Sequence, residues 1–437
     1  MNKTRDTIVV LGMAASGRAA ATLALAQGAR VIGMDLNRDV APLSGVEMML
    51  GPHNTEVLYS ADLIIVSPGI PANLPILLDA RDRGIPLVGE LAYAWSFLSF
   101  PLIAVTGTNG KSTVTSFAGQ LLKRAGLRVF VGGNLGIPLS CAVGDSYDVG
   151  VVEVSSYQLE LFGASAPAVA AVLNLTQDHL GRHGTMEEYA KTKVGLFRNM
   201  PRNSPAFLPV DSTFLDEAAA HTARKQFLRL GALAGVVRSG DEIVVDDGLE
   251  KSRFCLAGFG VLGEHNRDNA ATALALCRAF GVETSLLQKG IGYLTALPHR
   301  MEVVHTAEGV VWINDSKATN VDASLVGLRG LNMKAVVLLG GQAKGGGFCR
   351  LRDSLESHRA VVTFGASGSA IAKELEQAGV PCIQAIGLED AVRRARGLVV
   401  KGEAVLLSPG CASFDEFKNF EHRGEVFRDL ATRGVRC

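Results

Sequence analysis

Short β-branched runs alternate with Ala- and Leu-rich stretches from one end of this chain to the other. "TIVVLG" is followed by "GRAAATLALAQG", then by "ARVIGMD" and later "ADLIIVS". The apolar runs are continuous, so both faces of each strand must be covered, and the intervening helical stretches supply the cover. This predicts α/β architecture with mostly parallel sheets. Over 437 residues the pattern falls into three blocks. They are expected as three α/β domains, over residues 1–95, 96–297 and 298–437. The stretch 200–255, rich in Ser, Asp and Glu, carries no pattern that assigns it.

In the first block, "IVVLGMAASGRAAATLALAQGARVIGMD" reads strand, turn, helix, strand. Gly12 and Gly17 flank the turn, and Asp35 ends the second strand. Ala14 stands where a GxGxxG fingerprint has its middle glycine, so the motif is not that of a dinucleotide site. Two readings remain: a tight βα turn with structural glycines, or a helix N-terminus facing a phosphate, with Asp35 placed for a ribose or uracil. "IIVSPGIP" (64–71) ends a further strand on the same carboxyl edge.

The second block opens with "AVTGTNGKSTVTS" (104–116). The strand "LIAVT" runs into Gly107, Thr108, Asn109 and Gly110, then Lys111, Ser112 and Thr113 begin a helical pattern. Glycines let backbone N–H groups converge on an anion, a lysine adds a mobile charge, and Ser112 or Thr113 can offer a hydroxyl to Mg²⁺. Val105 occupies the first glycine position of the strict GxxxxGK[ST] motif. A metal carboxylate is expected nearby, and "YDVGVVEVSSYQLE" ends an apolar strand at Glu153. "NLTQDHLGRHGTMEEYAKTK" (174–193) follows another strand and places Asp178 and His179 at its end, a second metal position. Lys191 and Lys193 project from the helical pattern "MEEYAKTK"; for each, taken from the residues alone, a surface position is the default.

The exclusions are as informative. Lys plus Arg and Asp plus Glu both number 43, which argues against a dedicated nucleic-acid or acidic-membrane binder. The seven cysteines contain no CxxC pair, so a reducing compartment fits better than a zinc site or disulfide framework. No run reaches the roughly 18 apolar residues of a membrane span, and a cytoplasmic protein without a membrane span is expected. "NLTQD" has Gln where a guanine-reading Asn-Lys-x-Asp has Lys, and HRD and DFG are missing. The phosphate loop therefore belongs to neither a GTP switch nor a protein kinase.

"GTNGKST", "EVSSYQLE", "NLTQDHLGRH", "GEHNRDNAATA", "LPHRME", "NDSKATN" and "SPGCASFDEFKNFEHRG" occur in the order found in the Mur ligases of peptidoglycan synthesis, and the chain resembles that family over nearly its whole length. The length and the last motif resemble the branch that adds D-glutamate to UDP-N-acetylmuramoyl-L-alanine. The resemblance implies a Rossmann-like N-terminal domain, a central P-loop ATPase domain with a mostly parallel sheet and a Rossmann-like C-terminal domain. It implies ATP and two Mg²⁺ ions as cofactors and those two small molecules as substrates, with no nucleic acid and a monomeric chain. It implies that Gly107, Thr108, Asn109, Gly110, Lys111, Ser112 and Thr113 bind the ATP phosphates, with Ser112 on Mg²⁺. Glu153 and His179 would hold the second Mg²⁺, and Lys193 matches a lysine carried as a carbamate beside it. Asn266 and Asn269, with Arg300 and Asp315, would contact the nucleotide. Ala15, Ser16, Asp35, Asn37 and Gly69 would line the UDP pocket, with Asn134 and Ser155 touching the muramoyl group. Lys317, Thr319, Lys344, Ser413 and Phe420 would receive D-glutamate.

Two departures stand out: Gly181 replaces an acid in the histidine motif, and "GGQAKGGGF" lacks the acid before its final Phe. The rival readings are a sister ligase or folate polyglutamate ligase, a nicotinamide dehydrogenase using the first domain, and a non-catalytic nucleotide-dependent binding protein. The implied chemistry also calls for a closing motion of the third domain, hinged near residues 297–300.

Overall fold

The structure, a computed structural model, describes residues 6–210, 212–220, 228–230, 235–246, 250–343 and 345–433. The chain forms two compact units, residues 1–257 with 270–292 and residues 258–269 with 293–437. The first unit holds two sheets and the second holds one. Among the described residues no helix is long and apolar enough to cross a membrane.

The first sheet is built from β1 (Thr7–Leu11), β2 (Arg30–Asp35), β3 (Val46–Leu50), β4 (Leu63–Val66) and β5 (Leu87–Gly89). Its order is β3-β2-β1-β4-β5 and every pair is parallel. Val9, Val10 and Leu11 are fully buried, as a strand covered on both faces requires. The strand order reverses between β1 and β4, which opens a crevice at their carboxyl ends, the general place for a ligand in such sheets. Gly12 follows β1 there with φ of 87°, and Ser67 follows β4. The Ser67 hydroxyl donates to the Gly12 carbonyl at 2.6 Å and pins the two ends together.

The second sheet contains β6 (Leu102–Thr106), β7 (Val129–Gly133), β8 (Val149–Glu153), β9 (Val169–Val172), β10 (Ala206–Pro209), β11 (Leu228–Leu230), β12 (Gly235–Ser239), β13 (Glu242–Asp246) and β14 (Lys251–Cys255). Its order is β14-β13-β12-β11-β10-β9-β6-β8-β7. The strands from β7 across to β12 are parallel, and β12, β13 and β14 continue as an antiparallel meander. The unassigned stretch 200–255 supplies that extension. β6 lies between β8 and β9, with Val105 beside Glu153 and Thr106 beside Val172. Three loops that carry polar chemistry therefore leave one edge side by side. One hydrophobic core spans both sheets of this unit, joining Val10 and Ala21 to Leu102, Phe130 and Phe162.

The third sheet consists of β15 (Glu302–Ala307), β16 (Val310–Asn314), β17 (Ala335–Gly340), β18 (Ala360–Phe364), β19 (Cys382–Gln384) and β20 (Ala404–Leu407), in the order β15-β16-β20-β17-β18-β19. Only β15 runs antiparallel. Glu308 and Gly309 connect it to β16 with φ of 54° and 79°, the left-handed pair that a two-residue hairpin of native twist needs.

The turn at the crevice depends on Gly17, in the first turn of the helix Ala15–Ala26. A Cβ at this position would lie 1.8 Å from the Gly12 carbonyl oxygen, a backbone atom that β1 holds in place. Gly17→Ala is expected to cost about 2–3 kcal/mol through this overlap. Urea denaturation of the parent and the variant checks it; an unchanged midpoint would show that the helix can retreat freely.

Candidate active site

A cleft of about 690 Å³ opens at the β1/β4 switch point. Ala15, Ser16, Asp35, Gly69 and Asn134, five of the residues expected for the UDP substrate, line it together. The helix Ala15–Ala26 starts here behind Ala14, which has an extended backbone and no side-chain acceptor to cap the first turn. Its first N–H groups and the positive end of its dipole therefore suit an anion. Asp35 also holds the turn itself: one carboxylate oxygen accepts from the Met13 N–H at 2.7 Å and the other from the Asn37 N–H at 2.9 Å. Asn37 lies outside the cleft lining, and its side chain accepts from the Asp39 N–H in a local turn. Ser155 is likewise absent from the lining. It forms a capping box with Gln158, and Gln158 is the member of that pair that reaches the cleft. Ser67, within the stretch "IIVSPGIP" that the sequence placed on this edge, also lines the cleft, as does His53, which lies outside every motif read from the sequence.

The phosphate loop leaves β6 as expected. Gly107 and Gly110 have φ of 149° and 83°, and Gly110 precedes the helix Lys111–Arg124 without any side-chain cap. Ser112 and Thr113 are buried in its first turn. The Lys111 ammonium donates to the carbonyls of Gly107 at 3.0 Å and Thr108 at 2.8 Å. On the opposite side, the Asn174 side chain accepts from the Asn109 N–H at 2.8 Å and donates to the Asn109 carbonyl at 3.0 Å.

Lys193 overturns its default surface placement. It is 1% exposed, whereas Lys191 is exposed and paired with Glu187 and Glu188 at 2.7 and 3.1 Å. The cause is helical spacing: Tyr189, Ala190, Lys193 and Val194 fall on the buried face of the helix Met186–Val194. The Lys193 ammonium donates to the Gly107 carbonyl at 2.8 Å and sits 4.5 Å from the Tyr189 ring centroid. Burial, and next the charge of Lys111, bring its pKa down to about 7.

Glu153 ends β8 with 3% exposure. One carboxylate oxygen accepts from Asn134 Nδ2 at 2.6 Å; the other is buried without a hydrogen-bond partner among the described residues. An orphaned carboxylate oxygen beside a phosphate loop suits a hard cation. His179 has a left-handed backbone, φ 54°, and its Nδ1 lies 2.9 Å from the Tyr157 hydroxyl. Among the described residues no three His, Cys, Asp or Glu side chains gather into a metal cage. The donors present fit Mg²⁺, which takes few protein ligands and completes its shell with phosphate oxygens and water.

The second unit has its own polar cluster at the carboxyl edge of the third sheet. Asp315 is buried and accepts from the Ser408 hydroxyl at 2.8 Å and the Met301 N–H at 3.2 Å; burial raises its pKa to about 7. The Lys317 ammonium lies 3.8 Å from the Phe420 ring centroid, so two expected residues meet in a cation–π contact. Thr319 follows on the same loop, and Ser413 is 2% exposed on the loop after β20. Arg423, which sequence inspection missed although "FEHRG" contains it, is fully buried. It donates to the Ser316 hydroxyl at 3.0 Å and to the carbonyls of Ser316 at 2.8 Å and Cys411 at 3.0 Å, bracing the loops that carry Lys317 and Ser413. Asn269 donates to Asn266 at 3.3 Å, and Asn266 to the Leu262 carbonyl at 2.6 Å. Arg300 precedes Met301 in a left-handed bend. Lys344 lies outside the described residues.

Comparison with known proteins identifies the family. Residues 6–89 match the model of the Mur ligase MurD-like N-terminal domain, 105–277 that of the Mur ligase middle domain, and 299–411 that of the Mur ligase glutamate ligase domain. The UDP-N-acetylmuramoylalanine--D-glutamate ligase of Desulfatibacillum aliphaticivorans is 38% identical over 434 residues, covering 96% of each chain. That of Anaeromyxobacter dehalogenans is 39% identical over 455 residues, covering 98% of each. Among solved structures, the UDP-N-acetylmuramate-alanine ligase MurC of Thermotoga maritima aligns over 97% of this chain and 98% of its own, with 18% identity and a TM-score of 0.61. The MurF ligase of Thermotoga maritima in complex with ADP aligns over 98% and 95%, with 18% identity and a TM-score of 0.60. A phosphate loop flanked by an orphaned carboxylate and a buried lysine, on a three-sheet α/β frame, is the equipment of a nucleotide-dependent ligase. The chain belongs to the Mur ligase family.

Asp315 gives a pH signature. Unfolded, an aspartate releases its proton near pH 4; in the fold it holds the proton up to about 7. Between those values the folded chain binds more protons, so this group's contribution to stability falls as pH rises through the window. Asp315→Asn removes the group. The melting temperature of the variant relative to the parent is expected to increase between pH 4.5 and 7.5 and then to level off. Scanning calorimetry checks it, and a constant difference would mean that Asp315 ionises normally.

Proposed function

We propose that this chain is an ATP-dependent carboxylate–amine ligase that adds D-glutamate to UDP-N-acetylmuramoyl-L-alanine in peptidoglycan synthesis. The observation that carries the reading is the unpartnered Glu153 oxygen at the end of β8 beside the phosphate loop. The two relatives named above carry that activity in their names. The work divides over three domains, with UDP binding in 1–95, ATP binding in 96–297 and amino-acid binding in 298–437.

A free carboxylate does not acylate an amine, because the leaving group would be oxide. An oxygen of the substrate carboxylate attacks the γ-phosphorus of ATP, the bond to the β-phosphate oxygen breaks, and ADP leaves. The D-glutamate nitrogen then attacks the acyl carbon, the amine proton passes to a base, and the tetrahedral adduct expels orthophosphate to leave the amide. The chain supplies position and charge. The cleft at the first helix N-terminus holds the uridine diphosphate, Asn134 the neighbouring part of the muramoyl group, and Lys111 the outer phosphates. Ser112, Glu153, His179 and the modified Lys193 would hold two Mg²⁺, which screen the repulsion between the phosphates and the attacking carboxylate. Asn266, Asn269, Arg300 and Asp315 serve the nucleotide. Lys317, Thr319, Lys344, Ser413 and Phe420 serve the dicarboxylic amino acid.

Lys193 acts as a carbamate. Its neutral nitrogen attacks CO₂, an N–C bond forms, and a proton is released, so a buried cation becomes an anion. A pKa of about 7 keeps much of the amine neutral under ordinary conditions, which this step requires.

Phosphate release from ATP with UDP-N-acetylmuramoyl-L-alanine is expected to need D-glutamate and to ignore L-glutamate. Release without any amino-acid dependence would remove the ligase reading. Glu153→Gln is expected to lower kcat about 10²-fold or more while the chain stays folded. For Lys193, ¹³C-bicarbonate is expected to give a carbamate NMR signal that Lys193→Arg abolishes.

A further inference from the structure

We propose that Asn174 is the residue that positions the phosphate loop, an assignment that rests on the nucleotide reading above. Asn174 lies two residues beyond β9, and its side chain reaches across to Thr108 and Asn109. Its Oδ1 accepts from the Asn109 N–H at 2.8 Å and from the Thr108 N–H at 3.1 Å, while its Nδ2 donates to the Asn109 carbonyl at 3.0 Å. The backbone extends the seam. Leu173 N–H donates to the Thr106 carbonyl at 2.9 Å, and the Asn174 carbonyl shares the Thr108 N–H at 3.1 Å. The Thr108 hydroxyl donates to the Thr176 carbonyl at 3.2 Å and accepts from the Thr176 N–H at 3.1 Å. Gly107 lies so close that a Cβ there would stand 3.0 Å from Leu173 Cβ and 3.3 Å from the Asn174 nitrogen.

Only a carboxamide of this length meets the demand, because the loop presents two N–H donors and one carbonyl acceptor to the same side chain. The amides of Thr108 and Asn109 are thereby turned toward β9 and committed there. The phosphate seat is left to the uncapped N-terminus of the helix Lys111–Arg124 and to the Lys111 ammonium. The same segment runs on to Asp178 and His179, so one seam sets both the phosphate loop and the proposed cation ligand. The side-chain bonds of Asn174 go to the backbone of Thr108 and Asn109, so its role is to position that backbone.

Asn174→Asp and Asn174→Ala separate this role from plain support of the fold. Aspartate keeps the acceptors, loses the donor to Asn109 and adds negative charge behind a phosphate site; alanine loses all three bonds. Binding of the fluorescent nucleotide mant-ADP to the full chain is measured together with KM for ATP and for the UDP substrate. N174A is expected to weaken mant-ADP binding about tenfold, and N174D by more than that. KM for ATP should rise in parallel, and KM for the UDP substrate should stay within twofold. Both variants binding mant-ADP within twofold of the parent would overturn the assignment, as would a UDP-substrate KM that rises in step with that for ATP. If N174D does not fold, N174A and Asn174→Ser carry the test. The parent serves as the separate control: a parent that binds no mant-ADP refutes the nucleotide reading itself, whereas a binding parent with unaffected variants refutes only the role of Asn174.

Discussion

One carbonyl oxygen, that of Gly107, accepts hydrogen bonds from two lysine ammonium groups, Lys111 at 3.0 Å and Lys193 at 2.8 Å. Two like charges converging on a neutral acceptor in a buried place repel each other strongly. The fall of the Lys193 pKa to about 7 is the protein's response, with burial as the larger cause and Lys111 the next. An arrangement of this kind is stable with an anion to balance it or with one amine neutral. A polyphosphate supplies the first remedy, a carbamate on Lys193 would supply it too by turning one cation into an anion, and the lowered Lys193 pKa supplies the second. The chemistry proposed for the site thus follows from an electrostatic tension that the backbone creates before any substrate is considered.

The tension exists because the sheet brings three loops to one edge. β6 delivers Gly107, β8 delivers Glu153 and β9 delivers Asn174 through His179, and their registers are fixed by parallel pairing of fully buried strands. Slipping any of these strands by one residue would carry Gly107, Glu153 or Asn174 about 3.3 Å along the sheet edge and out of line with the others, so the pairing register also sets the site. Gly133 shows how tight this is: its Cβ would stand 2.4 Å from the Glu153 carbonyl oxygen, so β7 can carry Asn134 to the Glu153 carboxylate only with glycine there.

The sequence made the fold and much of the site legible for the same reason. Strands buried on both faces are continuous apolar runs, and the residues just past their ends are polar or glycine, so Gly12, Gly107, Glu153 and His179 could be placed on a carboxyl edge without coordinates. The antiparallel extension β12–β14 was not legible, because its strands are short and half exposed. The inward turn of Lys193 did not follow from residue type, since lysine is rarely buried; only the family resemblance, with the i, i+4 spacing from Tyr189, pointed to it. Asn174 and Arg423 were overlooked because they act through backbone carbonyls and amides of distant segments, and nothing local in a sequence reports such partners.

Arg423 extends the electrostatic argument to the second unit, taken by itself. Among the described residues its guanidinium donates to the Ser316 hydroxyl and to the carbonyls of Ser316, Gly340, Cys411 and Ala412, all neutral acceptors. Burial pushes its pKa down to about 10, yet a guanidinium at that value remains charged near neutrality. Removing such a group would leave several buried carbonyls without donors, so its first duty is structural. Among the described residues no carboxylate is in direct contact with it, and it lies behind the loops that carry Lys317 and Ser413. Burial lowers its pKa, while Asp415, Glu416 and Asp315 act on it only through space and raise it, so the charge behind these loops is held by carbonyl dipoles and not by a direct ion pair.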